Sequence, residues 1–219
     1  MSRGGIPPAN VPYDPVVTTS KKLPATALAQ IAVFVGIIAA LGLVPAITVP
    51  AVPVPITLQT LGVMLAGAVL GWRRGTVAVL VFVLLVALGL PLLAGGRGGL
   101  GVFVAPSAGF LIGFPVAALV IGWLTERFNA ARSLPKAIAI NVFGGIVVLY
   151  VFGIAGMSIM GHMPLAKAAT LAMVFLPGDV IKSVIAGVVA RGVHQALPDL
   201  LPDTPRTERE PEPSASASG

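Results

Sequence analysis

Cysteine is absent from the 219 residues, which removes disulfides, thiolate nucleophiles and cysteine-based metal sites. Charge is scarce as well: 10% of residues are Asp, Glu, Lys or Arg, against about 25% in a soluble domain. With 56% apolar residues and a mean hydropathy of +0.97, the chain reads as an all-α integral membrane protein. No Walker A sequence is present, so a P-loop ATPase is excluded, and there is no H-E-x-x-H. The two histidines, His162 and His194, fall on opposite sides of the membrane in the topology below, which leaves no metal set. No cofactor is expected. The net charge of +6 does not indicate nucleic acid, because the basic residues are scattered over short loops. Pro177-Gly178-Asp179 has the pattern of an intramembrane aspartyl protease but lacks the second Asp that would share the proton. Pro106-Ser107-Ala108-Gly109 has the look of a serine nucleophile turn, with no histidine placed to activate it.

What is present is a series of apolar, span-length runs. They cover about 23–44, 56–71, 75–94, 102–124, 137–160 and 179–197, with Arg73-Arg74 ending the second. A shorter apolar helix, 164–175, precedes the last. The expectation is a six-transmembrane-helix bundle over residues 23–197. It is flanked by a flexible N-terminal tail, 1–22, which is too polar for a signal peptide, and a disordered C-terminal tail, 198–219. Six spans put both termini on one side. Lys21, Lys22, Arg73, Arg74, Arg127, Arg132, Lys136 and Arg191 then share that side, against Arg97 and Lys167 on the other. The positive-inside rule makes both termini cytoplasmic.

That topology brings the sparse polar groups together. Asp179 and Lys182 are opposite charges within an apolar span, where each costs about 2.5–3.5 kcal/mol on insertion scales. Their spacing puts them on one helix face. Pro177 and Gly178 predict a helix that starts there, with Asp179 as its N-cap. Arg97 lies in the glycine turn 95–101, Gln59 near the start of the second span and Ser107 in the first turns of the fourth. All fall in the outer half, as does the proline-punctuated segment 45–55, expected to lie over the bundle as a lid. Each has a plainer reading: Asp179 as a cap, Lys182 as a snorkelling side chain, Arg97 as a solvated loop charge, Gln59 as an interhelical tie. Asn141 and Tyr150 read as packing groups. Ala25 and Ala29 form a small-residue stripe on the first helix.

Four stretches together resemble the BioY family, the biotin-specific substrate-binding (S) components of energy-coupling-factor (ECF) transporters. They are VPVPITLQTLGVMLAG (52–67), Gly89-Leu90-Pro91 leading to AGGRGG (94–99), APSAGFLIGFP (105–115) and FLPGDVIK (175–182). The likeness spans roughly 23–195 and departs at Phe110, where a tyrosine is expected, and at Ala105 and Ala108, where glycines are common. It implies biotin bound near the outer face beneath the loop joining the first two helices, with Arg97, Asp179 and Lys182 in the ligand site. It also implies Ala25 and Ala29 facing a transmembrane coupling subunit, and ATP hydrolysis on separate cytoplasmic subunits. The setting would be the bacterial cell membrane, crossed several times. The alternatives are an S component for another vitamin, an intramembrane hydrolase or a structural membrane protein.

Overall fold

The computed structural model describes residues 25–197 and Leu200; the expected N-terminal tail, with Lys21 and Lys22, lies outside them, as does the expected C-terminal tail apart from Leu200. Among the described residues seven α-helices follow one another: α1 (Ala25–Gly42), α2 (Gln59–Ala87), α3 (Ala108–Arg127), α4 (Leu134–Val142), α5 (Leu149–Met160), α6 (Leu165–Ala172) and α7 (Leu176–Ala196). A π-helical run, Phe143–Val148, joins α4 to α5, and a 3-10 turn, Met173–Phe175, joins α6 to α7. Among the described residues, five helical stretches are long and apolar enough to cross a membrane: Ala25–Gly42, Gln59–Ala87, Ala108–Arg127, Leu134–Met160 and Leu165–Ala196. In hydrocarbon every backbone N–H and C=O needs a protein partner, which helices supply internally. Leu84, Val151, Ile159, Ile181 and Val188 are exposed on the outside of the bundle, as a lipid-facing surface requires.

The 29-residue α2 is not straight. At Gly71 the backbone takes φ 77° and ψ −178°, a conformation essentially restricted to glycine. The chain folds back there, and Gly75 packs its bare α-carbon against Ala66 and Gly67. The sequence ends the second span at about Gly71, just before Arg73-Arg74, and the structure turns the chain at that residue, with both arginines already in the returning half. Such a break strands backbone groups inside the bundle, and side chains of other helices reach them. Trp72 N–H donates to Glu126 Oε1 at 3.0 Å, and His194 Nε2 lies 2.9 Å from Ala68 O.

A second difference concerns α7. The helix begins at Leu176, with Pro177 in its first turn, where a missing N–H costs nothing. Asp179 is therefore the fourth helical residue, not the N-cap, and its carboxylate points across the bundle. The third span ends before its expected limit, at Ala87, and the fourth begins after its expected start, at Ala108, because residues 88–107 form a structured connection with a 3-10 turn at Leu100–Phe103.

Buried residues form two clusters. One contains Val52, Val54, Phe110, Phe114, Tyr150 and Phe175; the other contains Ile31, Leu70, Ile140 and Ala190, near the Gly71 turn. At that second end Arg74 Nη1 donates to Gln30 Oε1 at 3.0 Å and to Leu200 O at 3.2 Å, tying the start of α1 to the end of the described chain.

Candidate ligand site beneath the proline-rich loop

At the end of the bundle opposite Gly71, two short loops are each closed by one β-bridge. Ile47 and Ile56 exchange backbone hydrogen bonds of 3.0 and 2.9 Å across the proline-rich segment. Val52 and Val54 of that segment are buried in the same cluster as Phe110 and Phe175, which explains the apolar composition of a loop. Leu93 and Arg97 pair in the same way, at 3.0 and 3.2 Å. Gly95 and Gly96, with φ of +79° and +70°, make the reversal that side-chain-bearing residues rarely allow. The turn presents Arg97 inward, half-buried, with Nε donating to Ala94 O at 3.2 Å and Nη1 to Ser107 Oγ at 3.3 Å.

Between these loops and α2, α3 and α7 lies a cavity of about 590 Å³ of empty space, its open mouth included. Gln59, Arg97, Ser107, Asp179 and Lys182 all line it. Residues from four distant stretches thus meet at one place. Apolar walls come chiefly from Val54, Leu93, Phe110, Phe114 and Phe175, the mix of apolar lining and few polar groups usual for a small-molecule site.

The charged pair sits at the base of a closed network. Lys182 Nζ donates to Asp179 Oδ1 at 2.9 Å, to Thr57 O at 2.6 Å and to Thr60 Oγ1 at 3.0 Å. An ammonium has three protons, so all are engaged. Tyr150 donates its hydroxyl to Asp179 Oδ2 at 2.8 Å, and Thr60 Oγ1 lies 3.5 Å from Oδ1. Asp179 and Lys182 are 4% and 5% exposed, and burial of that depth is tolerable only for paired, hydrogen-bonded charges. Gln59, also buried, donates through Nε2 to Ile38 O (3.3 Å) and Leu92 O (3.0 Å) and accepts from Ala94 N–H (3.1 Å). Its amide is engaged entirely by backbone.

The model of the BioY family matches residues 17–199. The chain belongs to the BioY family. The biotin transporter BioY of Rhizobium etli is 49% identical over 176 residues, covering 78% of this chain and 94% of that one. The protein of the same name from Rhodobacter capsulatus is 50% identical over 183 residues, with the same coverage. Among solved structures, the S-component for biotin from an ECF-type ABC transporter matches with a TM-score of 0.76 at 31% identity, over 78% of this chain and 91% of that one. Membership in BioY therefore rests on sequence and fold together, and the resemblance drawn from four motifs holds along the helical domain.

Two residues that the sequence reading leaves out of the site, Tyr150 (read there as a packing group) and Thr60, belong to the network around Asp179. Tyr150 sits in a long apolar run where a phenol reads as packing; one hint was that the chain has two tyrosines in all. Thr60 is one residue from Gln59, and its hydroxyl bridges Lys182 and Asp179. Phe110, at the position where tyrosine was expected, stacks edge-on against both Tyr150 and Phe175, with centroids 6.3 and 5.7 Å apart. Its place in the wall is aromatic and apolar.

Proposed function

We propose that this protein takes up biotin across a bacterial cell membrane, as the biotin-binding S component of an ECF-type transporter, with ATP hydrolysed on separate cytoplasmic subunits. The observation that carries the reading is the convergence of Arg97, Ser107, Asp179 and Lys182 on one largely apolar cavity in a member of the BioY family. Biotin is a compact apolar bicycle with a ureido group at one end and a carboxylate at the other. Arg97 has guanidinium N–H groups left over after its bonds to Ala94 and Ser107 and takes the carboxylate. Lys182 has none left and serves to hold Asp179. An ionised carboxylate offers about four acceptor positions. Tyr150, Lys182 and Thr60 occupy three on Asp179, so one remains for a ureido N–H.

The Gly71 reversal turns the five long helical stretches into six crossings and supports a bundle with both ends on one side. Arg74 bonding to Gln30 and Leu200 supports the same arrangement, and the basic residues near that end make it cytoplasmic. Ala25 and Ala29 are exposed on α1, where small side chains let a helix of the coupling subunit approach closely.

The test is purification of the full chain in detergent followed by release and identification of any tightly bound vitamin. Biotin is the expected product, with riboflavin and thiamin failing to compete. Release of another vitamin, or of none with no saturable biotin binding, overturns the reading.

A further inference from the structure

Gln59 was expected among the ligand-contacting residues, and it does line the cavity. Its hydrogen bonds go elsewhere. Both Nε2 protons are donated, to Ile38 O and Leu92 O, and Oε1 accepts from Ala94 N–H. Ala94 is the residue whose carbonyl receives Arg97 Nε. One peptide residue therefore faces Gln59 through its N–H and Arg97 through its C=O. The other anchor, Leu92, immediately precedes the Leu93–Arg97 bridge that closes the glycine turn. Past these anchors, between Ala94 and Arg97, the turn contains two left-handed glycines, Gly95 and Gly96, a backbone with many accessible conformations and no stiffness of its own. Gly42 at the end of α1 completes the arrangement. A Cβ there would stand 2.9 Å from Gln59 Nε2, so a bare α-carbon is what admits the amide and the Leu92 carbonyl together.

We propose that Gln59 is a positioning residue for Arg97: it pins the glycine turn to α1 so that the guanidinium stands ready for the ligand carboxylate, and it does not itself read the ligand. This rests on the biotin assignment above. A positioning role makes a demand that general structural support does not. Loss of Gln59 must weaken recognition of the carboxylate far more than recognition of the bicycle. The comparison is between biotin and biotinol, in which a neutral alcohol replaces the carboxylate.

Equilibrium binding of both ligands is measured on the full chain in detergent, for wild type, Gln59→Met, Arg97→Gln and the double variant. The wild type is expected to favour biotin over biotinol by about tenfold to a hundredfold, the weight of a charge-assisted hydrogen bond. In Gln59→Met that ratio collapses towards one, as in Arg97→Gln, and the double variant is no worse than Arg97→Gln alone. Equal loss of both ligands in Gln59→Met, or losses that add in the double variant, overturn the proposal while leaving the biotin site intact. Where Gln59→Met binds neither ligand, Gln59→Asn decides: its amide is one methylene too short to span loop and helix, so it must show the same collapse of the ratio, and an unchanged ratio overturns the proposal. A wild type that binds neither ligand overturns the biotin assignment, and this inference with it.

Discussion

Tyr150 and Lys182 hold opposite oxygens of the same carboxylate: the phenol reaches Asp179 Oδ2 at 2.8 Å and the ammonium reaches Oδ1 at 2.9 Å. Asp179 is thereby fixed in orientation from both sides, by α5 and by its own helix. Removing one holder leaves the other in place, which makes the two separable by experiment.

Tyr150→Phe deletes one hydrogen bond and no volume beyond the hydroxyl. A buried acceptor losing its donor costs about 1–3 kcal/mol. Biotin affinity should fall by about tenfold, with helix content by circular dichroism unchanged. Affinity equal to wild type in titration calorimetry would show that Asp179 needs no help from α5.

The Asp179–Lys182 pair makes a sharper claim about stability. Breaking a buried pair by removing one partner costs about 3–5 kcal/mol, whereas neutralising both is far milder. Lys182→Met alone should therefore lower the midpoint of thermal unfolding in detergent much more than Lys182→Met combined with Asp179→Asn. Both variants should bind biotin poorly. A double variant less stable than the single one would mean that the pair contributes through something other than mutual neutralisation.

At Gly71 the backbone angles, φ 77° and ψ −178°, lie where a Cβ is strained by about 1–3 kcal/mol. Gly71→Ala should lower the unfolding midpoint and reduce yield in the membrane, while protein that does fold still binds biotin, since the turn is at the far end of the bundle from the cavity. Unchanged stability would argue against a reversal at this residue.

Much of the site was legible because the bilayer leaves polar groups few options. Asp179, Lys182, Arg97 and Ser107 stood out in an apolar background, and a topology set by loop charges was enough to gather them. Tyr150 was not legible, since a phenol buries nearly as readily as Phe and declares its polarity only when a partner is in view. Gln59 was found for its polarity but not for its duty, which depends on the backbone of residues 92–94. The N-cap expected at Asp179 failed because Pro177 is accommodated inside the first turn and the helix starts upstream of it. The end of the second span at Gly71 was legible from where the apolar run stops ahead of Arg73-Arg74, whereas the sharpness of the reversal was not, since it depends on the backbone angles that Gly71 adopts.

The decisive property of the cavity beneath the proline-rich loop is whether it holds biotin by its carboxylate at Arg97. Titration of biotin into ligand-free full-length protein, wild type beside Arg97→Gln, measures this directly. The prediction is saturable one-to-one binding by the wild type, weakened by about tenfold to a hundredfold in the variant. Binding of biotin that Arg97→Gln leaves unchanged would contradict it.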